Sequence, residues 1–256
     1  MKLSGNTILI TGGATGIGRG LAEALHKLGN QVIIAGRRRH ALDEVTAANP
    51  GMRSLVVDMQ DAGAIREFGA RVAAEFPALN VLVNNAGIMR AEKLSTQQPG
   101  EQPDLRDTEA IVATNLLGPM RLTAALMPQF KKHADAVIMN VSSGLAFVPL
   151  ALTPTYCATK AAIHSWTLSL RYQLRGFVEV LELIPPYVAT DLMNGKDDPR
   201  AMPLDKFIAE VMAILKKQPT PAEICVMNVK RLRFAAESGQ FEAVFNGMNS
   251  AMTEPA

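Results

Sequence analysis

Tyr156 and Lys160, in the stretch PTYCATKAAIHSW, have the types and spacing for proton chemistry. On a helix, residues four apart share a face. A tyrosine with a pKa of about 10 is a poor acid–base catalyst at neutral pH. An ammonium one turn away stabilises the phenolate and lowers that value, so the pair can act as a general acid/base. The same spacing also occurs in ordinary surface pairs, so its neighbours matter. Residues 139–144, MNVSSG, read as a strand running into Ser142 and Ser143 at its carboxyl end, where open α/β sheets bind ligands. The stretch VLVNNAG ends another strand, and ATNLLG places Asn115 on the helix that follows.

These residues need a frame, and the alternation along the chain supplies one. Short β-branched runs at 7–10, 31–35, 54–57, 81–83, 136–141 and 178–184 read as strands. Helical periods at 18–28, 62–75, 116–130 and 155–174 lie between them. This rhythm predicts an α/β fold: a doubly wound, Rossmann-type parallel sheet with helices on both faces. No repeat, low-complexity tract or Ser/Gly linker divides the 256 residues, so one domain spanning 1–256 is expected. Within it, a polar, Gly-containing stretch and an amphipathic helix predict a lid over 191–217, although a plain surface connection fits as well. A divergent segment follows at 218–256.

Hydrophobic residues make up 48% of the chain, enough for a sizeable core, and a net charge of +2 is too small for a nucleic-acid-binding surface. The start of the chain lacks a signal-peptide pattern, and no uninterrupted apolar stretch reads as a membrane span. Two cysteines, Cys157 and Cys225, make no disulfide framework, and no Cys/His cluster has metal-ligand spacing. A cytoplasmic protein without a metal, a nucleic-acid partner or a membrane partner is expected.

TGGATGIG, residues 11–18, falls between the first strand and first helix. There Gly12 allows a tight turn, Gly16 lets the backbone approach a diphosphate, and Gly18 lets helix and strand pack. Tight packing alone is the competing reading. At the end of the second strand, where a carboxylate would bind the 2′-hydroxyl of NAD, the chain has Ala35 or Gly36 and then Arg37. Arg37, with Arg38, can pair a 2′-phosphate, which favours NADP(H) over NAD(H). Solvent-facing loop residues are the alternative, and Arg39 is read that way. Asp58 either accepts from an adenine amino group or caps the helix at Ala62.

Taken in order, these motifs resemble the classical short-chain dehydrogenase/reductase family over residues 3–193. A branch with IPP, then TDL and a divergent tail, resembles the oxidoreductases filed with D-alanyl-lipoteichoic-acid genes. The resemblance implies that Tyr156 is the general acid/base and that Ser143 orients and polarises the substrate oxygen. It makes Lys160 the residue that tunes Tyr156 and binds the ribose, and Asn115 the anchor of a relay water. Ser142 is the rival serine, read as a support of the turn. The cofactor-binding set implied is Gly12, Thr15, Gly16, Ile17, Gly18, Arg37, Arg38, Asp58, Met59, Asn85, Ala86 and Gly87, with Tyr156 and Lys160. Pro185, Val188 and Thr190 complete it. The family's Pro-Gly after the sixth strand is here Pro185-Pro186, so the carboxamide grip is expected to fall to Val188 and Thr190. The apolar run 145–152 has no charged residue. With Ser143, Leu145, Tyr156 and Tyr187 it predicts a small, uncharged carbonyl or alcohol substrate, unless that run faces a neighbouring subunit. The implied partner is a second copy, in a homodimer or homotetramer built on 116–130 and 155–174. A cofactor-sensing regulator without catalysis is the reading from another class.

Overall fold

The structure is a computed structural model and describes residues 1–93 and 103–250. Along the chain run β1 (Thr7–Thr11), α1 (Gly16–His26), β2 (Gln31–Gly36), α2 (Arg39–Ala48), β3 (Arg53–Val56), α3 (Ala62–Glu75) and β4 (Leu79–Asn84). Then come α4 (Arg106–Val112), α5 (Gly118–Phe130), β5 (Val137–Val141), α6 (Pro154–Gln173), β6 (Glu179–Ile184) and α7 (Leu204–Leu215). The chain closes with β7 (Glu223–Cys225), α8 (Lys230–Arg233) and α9 (Phe241–Asn249). All seven strands are parallel, in the order β3-β2-β1-β4-β5-β6-β7. Strand order reverses between β1 and β4, and the crevice outside their carboxyl ends is where such sheets bind ligands.

Every residue of β4 and β5 is buried, as expected when helices cover both faces. In β1, alternate side chains serve opposite cores: Ile8 and Ile10 pack with Leu21, Leu25 and Phe207, whereas Leu9 packs with Phe68, Leu126 and Phe130. The six strands expected from the sequence are present. β7 was not foreseen and lies in the divergent segment. By length and composition Arg106–Phe130 passes for a membrane-crossing helix, although Arg106, Asp107, Glu109 and Arg121 interrupt its apolar run. Its Leu122, Leu126 and Phe130 are fully buried against the sheet and α3, so it is a core helix.

The stretch 191–217 divides at α7. Phe207, Val211 and Leu215 of that helix are fully buried, and Ile208 lies so close to Gly20 of α1 that a Cβ there would approach within 2.8 Å. Residues ahead of α7 form a loop closed by a bridge between Val188 and Met202: Met202 N–H donates to Tyr187 O and Ala189 N–H to Met202 O, both at 2.9 Å. Phe207→Ala removes a fully buried ring and is expected to cost about 3–5 kcal/mol. Urea denaturation checks this, and a wild-type midpoint would place α7 outside the core.

Candidate active site

The glycine turn is held from below by one threonine. Thr11 Oγ1 accepts from Asn85 N–H and Ala86 N–H at 3.1 Å each, and Asn85 Nδ2 donates to Thr11 O at 2.9 Å. Asn85 thus locks the turn. Gly12 and Gly16 have φ of +66° and +54°, and a Cβ on Gly18 would lie 2.3 Å from Gly12 O. The packing reading holds for Gly18, and also for Gly12, where a Cβ would come within 2.9 Å of Ala86 Cα; Gly12 in addition borders a cleft. That cleft is lined by Gly12, Thr15, Arg37, Arg38, Asp58 and Met59, with Ala86 and Gly87 across from them. Arg37, Arg38 and Arg39 are all exposed, and Arg38 reaches Thr15 Oγ1 at 3.4 Å. Asp61 caps α3, accepting from Gly63 N–H and Ala64 N–H. Asp58 is therefore not the cap that the sequence left open; it accepts from Gln60 N–H and borders the cleft. Thr190 packs against Gly16, where a Cβ would come within 3.3 Å of its methyl group. Ile17 is in the first turn of α1.

At the next strand ends the remaining polar residues converge. Ser143 starts a short 3-10 turn, its Oγ accepting from Leu145 N–H at 3.1 Å, and lies close enough to the Tyr156 hydroxyl to favour its ionised form. Ser142 turns the other way and donates to Glu182 at 2.6 Å. Lys160 Nζ donates to Val141 O at 2.8 Å and lies 5.6 Å from the Tyr156 ring centre. Asn115 sits in a π-helical turn between α4 and α5. Its carboxamide exchanges two 2.8 Å bonds with the Ile88 backbone and reaches Thr159 on α6 at 3.4 Å. Such turns put an extra residue into a helix and often mark functional positions.

Burial works against one expectation. The sequence predicts that Lys160 lowers the Tyr156 pKa. Burial pushes the phenol up to about 12, with Ser143 opposing it. Burial also brings Lys160 down to about 8, with Glu182 acting the other way. Both groups have lost their hydration, which penalises the charged form of each. The desolvation comes from an apolar chamber in which Met89, Ile111 and Cys157 pack with Tyr156, and Leu145, Leu150 and Met193 pack around them.

Only part of the loop 145–152 faces that chamber. Val148 is fully buried against Ala235 and Val244, and the Phe147 ring meets His164 edge-on. Asn249, in the last turn of α9, accepts from Ala151 N–H at 2.7 Å and donates to Pro149 O at 3.2 Å. The apolar loop therefore packs partly against its own C-terminal segment. Tyr187 turns from the chamber towards its own loop, donating to Asp198 at 3.1 Å. Pro185 O accepts from Gly144 N–H, which ties the double proline to the serine turn. Met89, Ile111 and Met193 were missed in the sequence because single apolar residues on separate elements carry no local signal.

A family model for short chain dehydrogenases matches residues 6–201. The chain belongs to that family. It is thus an oxidoreductase by kinship, and the likeness extends past the matched residues. The oxidoreductase DltE of Bacillus subtilis (strain 168) is 38% identical, covering 98% of this chain and 99% of its own. An NADP-dependent 3-hydroxy acid dehydrogenase of Shigella flexneri is 30% identical over 76% of this chain and 79% of its own. A short-chain dehydrogenase structure from Streptomyces avermitilis superposes with a TM-score of 0.80 at 26% identity, over 99% of this chain and all of that one. The superposition over nearly the whole chain shows that the two share one fold.

The buried Lys160 has a consequence for stability. Its value of about 8 in the folded chain lies below the 10.5 of the free side chain. Between those values the folded state holds fewer protons than the unfolded one, so this group makes stability rise with pH across that window. Lys160→Met removes the penalty. The variant is expected to be more stable than wild type by about 3 kcal/mol below pH 8, with the advantage vanishing as pH approaches 10.5. Urea unfolding without cofactor at pH 7 and pH 10 measures it; a pH-independent difference would refute the desolvated ammonium.

Proposed function

We propose that this chain is an NADP(H)-dependent oxidoreductase that moves a hydride between nicotinamide and the carbonyl or alcohol of a small, uncharged, fairly apolar substrate. The observation that carries the reading is the buried Tyr156 phenol set in an apolar cluster, with Ser143 close enough to influence its acidity and Lys160 alongside. The cleft next to it suits a dinucleotide, because Gly36 and Gly87 on its walls carry no side chain to occupy it. Gly12, Thr15, Gly16, Ile17 and Gly18 would hold the diphosphate, and Asp58 and Met59 the adenine. Arg37 and Arg38 would take a 2′-phosphate. Asn85, Ala86 and Gly87 would line the ribose side, and Pro185, Val188 and Thr190 the carboxamide side. The NADP dependence of the Shigella flexneri relative supports the same preference.

When bound, the nicotinamide supplies or accepts the hydride. The side chains do the rest. Ser143 Oγ hydrogen-bonds the substrate oxygen and fixes it beside Tyr156. In reduction Tyr156 Oη gives its proton to that oxygen; in oxidation it takes the proton from the hydroxyl. The Lys160 ammonium stabilises the phenolate left behind, offsetting the burial that holds the phenol near 12. Asn115 ties the turn at Ile88 to α6, so that relay, lysine and tyrosine keep one geometry. Leu145 and Leu150 select for apolar substituents, and the loop ahead of α7 acts as lid, with Met193 over Tyr156 and Tyr187 latching it through Asp198. The exposed Leu168 and Tyr172 of α6, with Leu117, offer a face to a second copy, as in a homodimer or homotetramer. Two free thiols, Cys157 and Cys225, suit the reducing cytoplasm.

Tyr156→Phe is expected to lower kcat at least 100-fold in a carbonyl and alcohol panel while NADPH affinity stays within twofold. Unchanged turnover would remove Tyr156 from the reaction. Tight NADPH binding with no turnover anywhere in the panel would favour a sensor. Arg37→Asp is expected to weaken NADPH binding roughly tenfold or more and to spare NADH. Fluorescence titration with each cofactor reads this directly, and an unaltered preference would refute the assignment of Arg37.

A further inference from the structure

Glu182 of β6 is fully buried, and a carboxylate in that position needs partners. It has two. Ser142 Oγ donates to Oε1 at 2.6 Å, and His164 Nδ1 lies 2.9 Å from Oε2. His164 stands one turn beyond Lys160 on α6, so Tyr156, Lys160 and His164 form one row at four-residue spacing. Ser142 lies between two contacts of the active site: Val141 O, which accepts from Lys160, and Ser143, which meets Tyr156. The charged and titratable groups around Glu182 come from three elements. α6 contributes Lys160, His164 and Arg171; β7 contributes Glu223 and Cys225; α8 contributes Arg233. His164, Glu182 and Glu223 bring their polar atoms within 4.8 Å of one another, but Glu223 spends both oxygens on Arg233 at 2.7 and 3.0 Å. The Arg233 guanidinium in turn covers the Phe147 ring, whose other contact is His164. The cluster is thus a closed chain of pairs directed at the end of β5.

We propose that Glu182, held by His164, is a positioning residue for the reaction: it pins the end of β5 through Ser142 and supplies the buried negative charge that keeps Lys160 an ammonium. Without that charge, desolvation would act on Lys160 unopposed, and its cationic form would be lost nearer to neutral pH. This role rests on the oxidoreductase reading above. The titration that tests it needs no substrate, so a failed titration and an absent turnover are separate results.

The test is NMR of protein carrying 13C at the lysine Cε, with the Lys160 resonance assigned from Lys160→Arg. Glu182→Gln keeps an oxygen for Ser142, and its amide nitrogen can donate to His164 once the ring takes its other tautomer, so the shape of the cluster survives. In this variant the Lys160 midpoint is expected to fall by roughly one pH unit from the wild-type value. His164→Gln leaves the carboxylate in place, and its midpoint is expected at or above wild type. An unchanged midpoint in folded Glu182→Gln overturns the proposal. So does a fall in His164→Gln, because any disturbance of the cluster would then suffice. If Glu182→Gln does not fold, His164→Gln decides alone: a midpoint at or above wild type supports the proposal and a fall overturns it.

Discussion

An ammonium taken out of water is the demand around which the end of β5 is organised. Lys160 is fully enclosed, and a lone cation there would be expelled or neutralised. The Val141 carbonyl gives it one acceptor, and Glu182 gives it a field. Both come from neighbouring strands whose register is fixed by parallel pairing, with Asn140 set opposite Glu182. Around this centre the buried polar groups join in sequence. Asn84 donates to Asn140 and Thr123, and Asn140 to Thr167, so β4, β5, α5 and α6 are tied by side chains as well as by apolar packing. A group that costs so much to bury fixes where its surroundings stand.

The glycine turn solves the opposite problem, since there the backbone must leave space. Gly18 presses against Gly12 so closely that no side chain fits, and Asn85 and Thr11 clamp the same turn from β4 and β1. The helix α1 begins beside the cleft, and its N-cap residue Thr15 makes no side-chain cap to its first amide groups. A rigid turn and a rigid lysine, on opposite sides of the strand-order reversal, define the space between them.

Much of this was legible in the residues. Six strands were readable because parallel strands covered on both faces are continuous apolar runs, and β7 escaped because Glu223–Cys225 is three residues long with one buried side chain. Tyr156, Lys160 and Ser143 were legible as local spacings, and the structure brings them together. The raised phenol value of Tyr156 was not, because it depends on Met89, Ile111 and Met193, which meet only in the folded chain. Glu182 looked like one more residue in a strand; its partners are 40 and 18 positions away. The amphipathic helix at 204–215 had the correct period, but period alone does not say whether its apolar face meets a core or a ligand.

Asn249 hydrogen-bonds the loop beside Tyr156 through the carbonyl of Pro149 and the amide of Ala151. Both bonds go to main chain. Leu145 and Leu150 can therefore be exchanged for other residues while the path of the loop is kept. The apolar side chains around Tyr156 and the main-chain path of the loop are fixed by different parts of the chain, and one can drift without spoiling the other.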